Sequence, residues 1–186
     1  MKSLIVYATR YGATKGTSEE IARIIVEENI DARIVNLKEE KIKDISEYDL
    51  VVVGSSMAMG NWASEAEDFV NRFQKDFGSK RLALFISSLK PVEERQGKTD
   101  LVAKIQKVGL DDKITKYNLK PIATAIFGGV VDYNKMNFLI RKGMEIGYKA
   151  PLLKHGFEEV EPGVYDLRDW DEIRSWANDL AKKAQK

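Results

Sequence analysis

The sequence has no cysteine and a single histidine, His155. The first absence excludes a disulfide framework, a thiolate metal centre, an iron–sulfur cluster and a cysteine nucleophile. The second excludes a His-rich zinc site and leaves any Ser-His-Asp triad dependent on one residue. That residue sits beside Gly156 in a polar connection and reads as a surface or turn residue. Long apolar runs are missing too. No segment approaches the roughly eighteen apolar residues of a membrane span, and the stretch after Met1 is too short for a signal peptide. A cytoplasmic protein is the expectation. Excess charge of one sign is also absent, since 30 Lys/Arg oppose 29 Asp/Glu, and this argues against a nucleic-acid binder. The carboxylate pairs Glu19-Glu20, Glu93-Glu94 and Glu158-Glu159 read as solvated, and none has the context of a glycosidase site.

What is present is 44% hydrophobic residues over a 186-residue chain, enough for one compact domain with no linker to divide it. Short, continuously apolar runs at Leu4–Ala8, Ala32–Leu37, Leu50–Val53, Leu82–Ile86 and Ile122–Phe127 read as buried strands. Between and after them lie helical patterns. Ile21, Ile24 and Ile25 follow Thr17 and Glu20, which have capping-box spacing; Ala66, Phe69, Val70 and Phe73 mark a second helix. Leu101, Ile105 and Val108 mark a third, Phe138–Tyr148 a fourth, and Trp170, Ile173, Ala177 and Leu180 a fifth. Strands alternating with helices predict an α/β fold with a parallel sheet covered on both faces. Four of the strands run out into Gly/Ser/Thr-rich segments. In an open parallel sheet, ligands bind outside these carboxyl ends.

The segment Thr9-Arg10-Tyr11-Gly12-Ala13-Thr14 combines hydroxyls, glycine-freed amides and an approaching helix N-terminus, which together suit an anion such as phosphate. Plain capping and turning of the chain is the other reading. The glycines are too close for a P-loop, and Gly-x-Gly-x-x-Gly is absent, so nucleotide-triphosphate and dinucleotide sites are unsupported. A receiver domain is excluded by Ala8-Thr9-Arg10 and Gly54-Ser55-Ser56, where acidic residues would be required.

Thr9-x-Tyr11-Gly12-x-Thr14 after the first strand resembles the FMN-phosphate loop of flavodoxins. The likeness extends through Val51–Trp62, Phe127–Tyr133 and Asp169-Trp170 to the flavodoxin-like group that includes menaquinone-dependent protoporphyrinogen IX dehydrogenase. It implies a flavodoxin-like three-layer sandwich with five parallel strands in the order 2-1-3-4-5, binding one FMN. It further implies that Thr9, Arg10, Tyr11, Gly12, Ala13 and Thr14 hold the phosphate. Ser56, Met57, Ala58, Met59, Gly60, Asn61 and Trp62 would border the ring, and a loop over Ser87–Gly97, through Ser87, Ser88, Leu89 and Lys90, would close its other side. Trp62 reads either as a ring-stacking aromatic or as a hydrophobic anchor. Tyr133 reads in the same two ways, with packing favoured. Thr17 reads as a further phosphate ligand or a cap. The segment Met57–Trp62 lacks the Arg and His that some dehydrogenase relatives carry.

Charge separates the functional readings. Residues 80–154 hold fifteen Lys/Arg and seven Asp/Glu, a net +8, against −4 before and −3 after. A soluble carrier with an acidic docking face is the weaker reading of such a chain. The basic block suits an anionic substrate, such as a porphyrinogen with propionates, or an acidic membrane surface. Lys135–Lys142 mixes basic and large apolar residues as an interfacial helix would, although its Phe and Ile read more readily as core. Three functions stand: an FMN oxidoreductase working with a quinone or another redox partner, a small electron-transfer flavoprotein, and a flavodoxin-fold interaction module without FMN. Oligomeric state is open, a homo-oligomer included. No metal and no catalytic side chain are expected, because the flavin carries the chemistry.

Overall fold

The computed structural model describes the whole chain, Met1–Lys186. Its strands are β1 (Lys2–Ala8), β2 (Asp31–Asn36), β3 (Leu50–Ala58), β4 (Asn61–Trp62), β5 (Arg81–Ser88), β6 (Ala123–Gly128), β7 (Val130–Asp132), β8 (Glu159–Glu161) and β9 (Val164–Asp166). The helices are α1 (Ala13–Glu27), α2 (Ser64–Phe73), α3 (Lys90–Arg95), α4 (Thr99–Gln106), α5 (Asp112–Lys116), α6 (Phe138–Met144), α7 (Ala150–Lys154) and α8 (Trp170–Ala184). Single π turns at Lys107–Asp111 and Glu145–Lys149 join α4 to α5 and α6 to α7 without a break.

The main sheet runs β2-β1-β3-β5-β6, all parallel, with β4 folded back antiparallel on the end of β3. Setting that hairpin aside, this is the 2-1-3-4-5 order that the flavodoxin resemblance implies. Because successive side chains point to opposite faces, each apolar strand feeds two cores. Leu4, Val6, Val51, Val53 and Leu84 pack with α2 and the helix 99–116. Ile5, Val52, Phe85 and Phe127 pack with α1 and α8. The fold is therefore a flavodoxin-like three-layer sandwich. Gly54 is required by this packing, since a Cβ there would run into the Phe85 ring.

Three features differ from the sequence expectation. Helix α1 starts at Ala13, so Thr17 lies inside it, fully buried, and is no cap. The Thr17/Glu20 spacing imitated a capping box, but the backbone turns earlier, at Gly12 (φ 98°). Residues 87–97 are not simply a loop, because α3 occupies Lys90–Arg95 with Pro91 in its first turn. Finally, β7, β9 and β8 form a second, antiparallel sheet. It encloses a third small core of Val92, Val131, Tyr133, Leu152, Tyr165 and Leu167 at the far edge of the main sheet.

Candidate functional site

Parallel register brings the carboxyl ends of three neighbouring strands into one row, with Ala8 opposite Ser55 and Ser56 opposite Ser87. The first loop closes on itself, the Gly12 N–H donating to Thr9 Oγ1 at 2.9 Å. Gly12 then caps α1 without a side chain, and the first turn of that helix carries no acid. The N–H groups of Ala13 and Thr14 find no acceptor in the protein, as expected at a helix start left open. The Thr14 side chain is fully buried there, and its Oγ1 has no hydrogen-bond partner. Two free amides, an unpartnered hydroxyl and the positive end of a helix dipole form a seat for an anion. The Thr17 and Ser18 hydroxyls, also buried and unpartnered, lie a turn deeper. Tyr11 is half-buried at the rim.

Arg10 is exposed and turns away from the free amides. Its Nη1 donates to the Ser56 carbonyl at 3.0 Å and its Nη2 to the Trp62 carbonyl at 3.0 Å, with a longer contact to the Asn61 carbonyl at 3.4 Å. The guanidinium thus ties the first loop to the β3–β4 hairpin. Met59 and Gly60 form the hairpin's two-residue tip, both left-handed (φ 50° and 78°), the conformation of a type I′ turn. Met59 is 88% exposed there. Met57 instead leans on the core. Trp62 has the burial and hydrogen bonding of an anchor. It is 2% exposed, and its Nε1–H donates to the buried Gly109 carbonyl at 2.7 Å.

On the other side, Ser87 Oγ is buried without a partner, while Ser88 Oγ accepts from the Lys90 N–H at 3.1 Å. Leu89 roots in the third core, and Lys90 Nζ lies 3.2 Å from Glu94. Glu93, which read as solvated, is 2% exposed and accepts from the Tyr148 hydroxyl at 2.6 Å. Tyr133 is a packing residue whose hydroxyl burial pushes up to about 12. His155 ends α7 as a turn residue. The sequence reading missed an open groove of about 800 Å³ beside the start of α8. Arg168, held by Asp166 at 2.6 Å and seated over the Trp170 ring, lines it together with Pro91, Glu94 and Arg95 from the Ser87–Gly97 segment, whereas the residues of the first loop and of the β3–β4 hairpin do not.

An open parallel sheet of this order, with polar loops gathered at the carboxyl ends of β1, β3 and β5, defines a flavodoxin-type α/β protein. The chain belongs to the flavodoxin domain family, which matches residues 4–150. The family binds flavin, typically FMN. Protoporphyrinogen IX dehydrogenase [quinone] from Escherichia coli (strain K12) is 24% identical over 189 aligned residues, covering 100% of this chain and 98% of that protein. Among solved structures, a short-chain flavodoxin associated with a non-canonical PDU bacterial microcompartment superposes with a TM-score of 0.59 at 16% identity, over 100% of this chain and 97% of the other. A flavodoxin from the domain Archaea gives 0.56 at 15% identity over the whole of both chains. These structural likenesses establish the fold. The seat at α1 fits a flavin phosphate on its own chemistry, because the unpartnered Thr14 hydroxyl and the two free amides are donors that lack only an anion.

Proposed function

We propose that this chain is an FMN-dependent oxidoreductase, with oxidation of protoporphyrinogen by a quinone as its most specific form. The observation that carries FMN binding is the buried, unpartnered Thr14 hydroxyl beside the free amides of Ala13 and Thr14. Leaving such donors unmet costs about 1–3 kcal/mol each, which a bound phosphate would recover. The substrate assignment draws on the full-length relative from Escherichia coli and on the basic block over residues 80–154, which suits a substrate carrying carboxylates.

When bound, FMN supplies hydride or single-electron transfer through its ring. The residues do the rest. Thr14 and the α1 amides hold the phosphate end, Arg10 fixes the hairpin carrying Ser56–Gly60, and Ser87 offers a free hydroxyl from the opposite strand end. No side chain is needed as a catalytic acid or base.

A second reading, an electron-transfer protein serving a partner reductase, has its support in the full-length likeness to flavodoxins. Two experiments decide. Purified protein should show flavin absorbance or take up added FMN; a colourless protein that binds none leaves only an interaction module. Anaerobic assay should show porphyrinogen oxidation with a quinone acceptor. Flavin binding without that turnover, but with reduction of a partner protein, gives the carrier.

A further inference from the structure

The continuous helix 138–154 presents an outer face that the fold leaves uncovered. Met144, Tyr148 and Leu152 turn inward onto the third core. On the opposite side Leu139, Ile146 and Leu153 are 79%, 77% and 58% exposed, and Phe138 at the helix start is 75% exposed. The expectation that the Phe and Ile of Lys135–Lys142 are core fails for Phe138, while Ile140 is half-buried, because the helix rests on the small antiparallel sheet and α3 by its other side. The remaining exposed large apolar residues, such as Val26 and Leu101, lie singly on other elements. A cluster confined to one face of one helix marks a contact surface.

The spacing carries the inference further. Within the helix Leu139, Ile146 and Leu153 are seven residues apart, and so are Lys142 and Lys149; Lys135 precedes the helix and pairs with Asp132 at 2.8 Å. Seven residues are nearly two helical turns, so the face is an apolar row with a lysine row beside it. The only carboxylate within 135–154 is Glu145, which Arg141 engages at 2.8 Å. Lys142, Lys149 and Lys154 make no ion pair. Apolar residues with flanking lysines and one acid, itself engaged by Arg141, match the boundary between acyl chains and anionic headgroups, where lysine stems lie along the apolar surface and their ammonium groups reach phosphate. A second copy suits the face poorly, since an isologous contact sets lysine row against lysine row.

We propose that this helix face docks the protein on the surface of an anionic lipid bilayer. No helix of the structure is long and apolar enough to cross a membrane, so the contact is peripheral. Leu89 and Val92 share the third core with this helix, so the docking face and the Ser87–Lys90 side of the flavin site belong to one packed unit. The proposal stands on the helix alone and survives a failure of the porphyrinogen reading.

The test is co-sedimentation of the full-length protein with vesicles of phosphatidylcholine containing phosphatidylglycerol, against phosphatidylcholine alone. Binding to the anionic vesicles is expected, falling about tenfold or more in Lys142→Glu/Lys149→Glu and by a similar factor in Leu139→Ser/Ile146→Ser. Circular dichroism and thermal melting of these surface variants confirm the fold. No binding, equal binding to neutral vesicles, or binding that either double variant leaves unchanged overturns the proposal. So does sedimentation velocity showing a dimer that Leu139→Ser/Ile146→Ser dissolves, which would assign the face to a second copy.

Discussion

The Arg10 guanidinium spans two loops, donating from Nη1 to the Ser56 carbonyl and from Nη2 to the Trp62 carbonyl, each at 3.0 Å. In the proposed site a flavin would meet both loops at once, its phosphate on one and its ring against the other. Holding them in fixed relation in advance removes an ordering cost from binding. Arg10→Met should therefore weaken FMN about tenfold and lower stability by about 1–2 kcal/mol, as for the loss of charged hydrogen bonds at a surface. Arg10→Lys separates this role from charge attraction. A lysine cannot fork to two carbonyls, so its affinity should fall nearly as far. Fluorescence titration reading full rescue by lysine would mean that charge, and not loop geometry, was responsible.

Thr14 gives a prediction with opposite signs in the free and bound protein. Its buried hydroxyl is unpartnered, so Thr14→Val removes a desolvated polar group at nearly constant volume and should leave the apoprotein as stable or slightly more so. FMN affinity should fall by about tenfold or more, the size of one hydrogen bond to a charged group. Thermal melts of the apoprotein with a flavin titration check both halves. Equal FMN affinity in the two proteins would remove Thr14 from the phosphate site.

Trp62 tests whether the anchor matters for folding or for the ring. Trp62→Phe leaves the Gly109 carbonyl, buried under the indole at 2.7 Å, without its donor, a loss of about 2–3 kcal/mol with the reduced packing included. Urea unfolding should register this in full, while the flavin absorbance maxima stay in place. Shifted maxima at unchanged stability would restore Trp62 to the ring.

The main sheet was legible because its strands are buried on both faces, and such strands read as uninterrupted apolar runs: Leu50–Val53 and Leu82–Ile86 have little other reading. The β7–β9–β8 sheet was not legible. Its strands have three residues each, too few to show alternation, and Glu159–Glu161 is exposed throughout. The start of α1 was hidden for a different reason. A capping box is a side-chain pattern, whereas this helix begins on a backbone feature, a positive φ at Gly12, with its cap position left without a side chain. For Phe138 the sequence held the right pattern but not the answer, since periodicity finds an apolar face without saying whether anything covers it. In the site, composition located the strand-end loops, but the diversion of Arg10 to carbonyls and of Trp62 to Gly109 depends on β4 folding back, and a two-residue strand leaves no periodic trace.

Glu67 predicts how stability responds to acid. From α2 it reaches the end of α5, with Lys113 Nζ at 2.7 Å, Lys116 Nζ at 2.9 Å and the Tyr117 hydroxyl at 2.8 Å. Partial burial alone would raise its carboxyl, but the hydrogen bonds from the two lysines and the tyrosine outweigh burial and lower it to about 2. A folded-state value below the unfolded one means that the stabilisation is complete above about pH 4.5, where the unfolded carboxyl is ionised, and fades as pH falls toward 2. The contribution is about 1–2 kcal/mol after screening of these partly solvated lysines. Glu67→Gln should therefore lower stability at neutral pH by that amount and flatten the loss between pH 4.5 and 2, so that the two proteins converge in acid. Chemical denaturation across this range checks it, and parallel pH profiles for the two proteins would show that the α2–α5 contact holds without the carboxylate's charge.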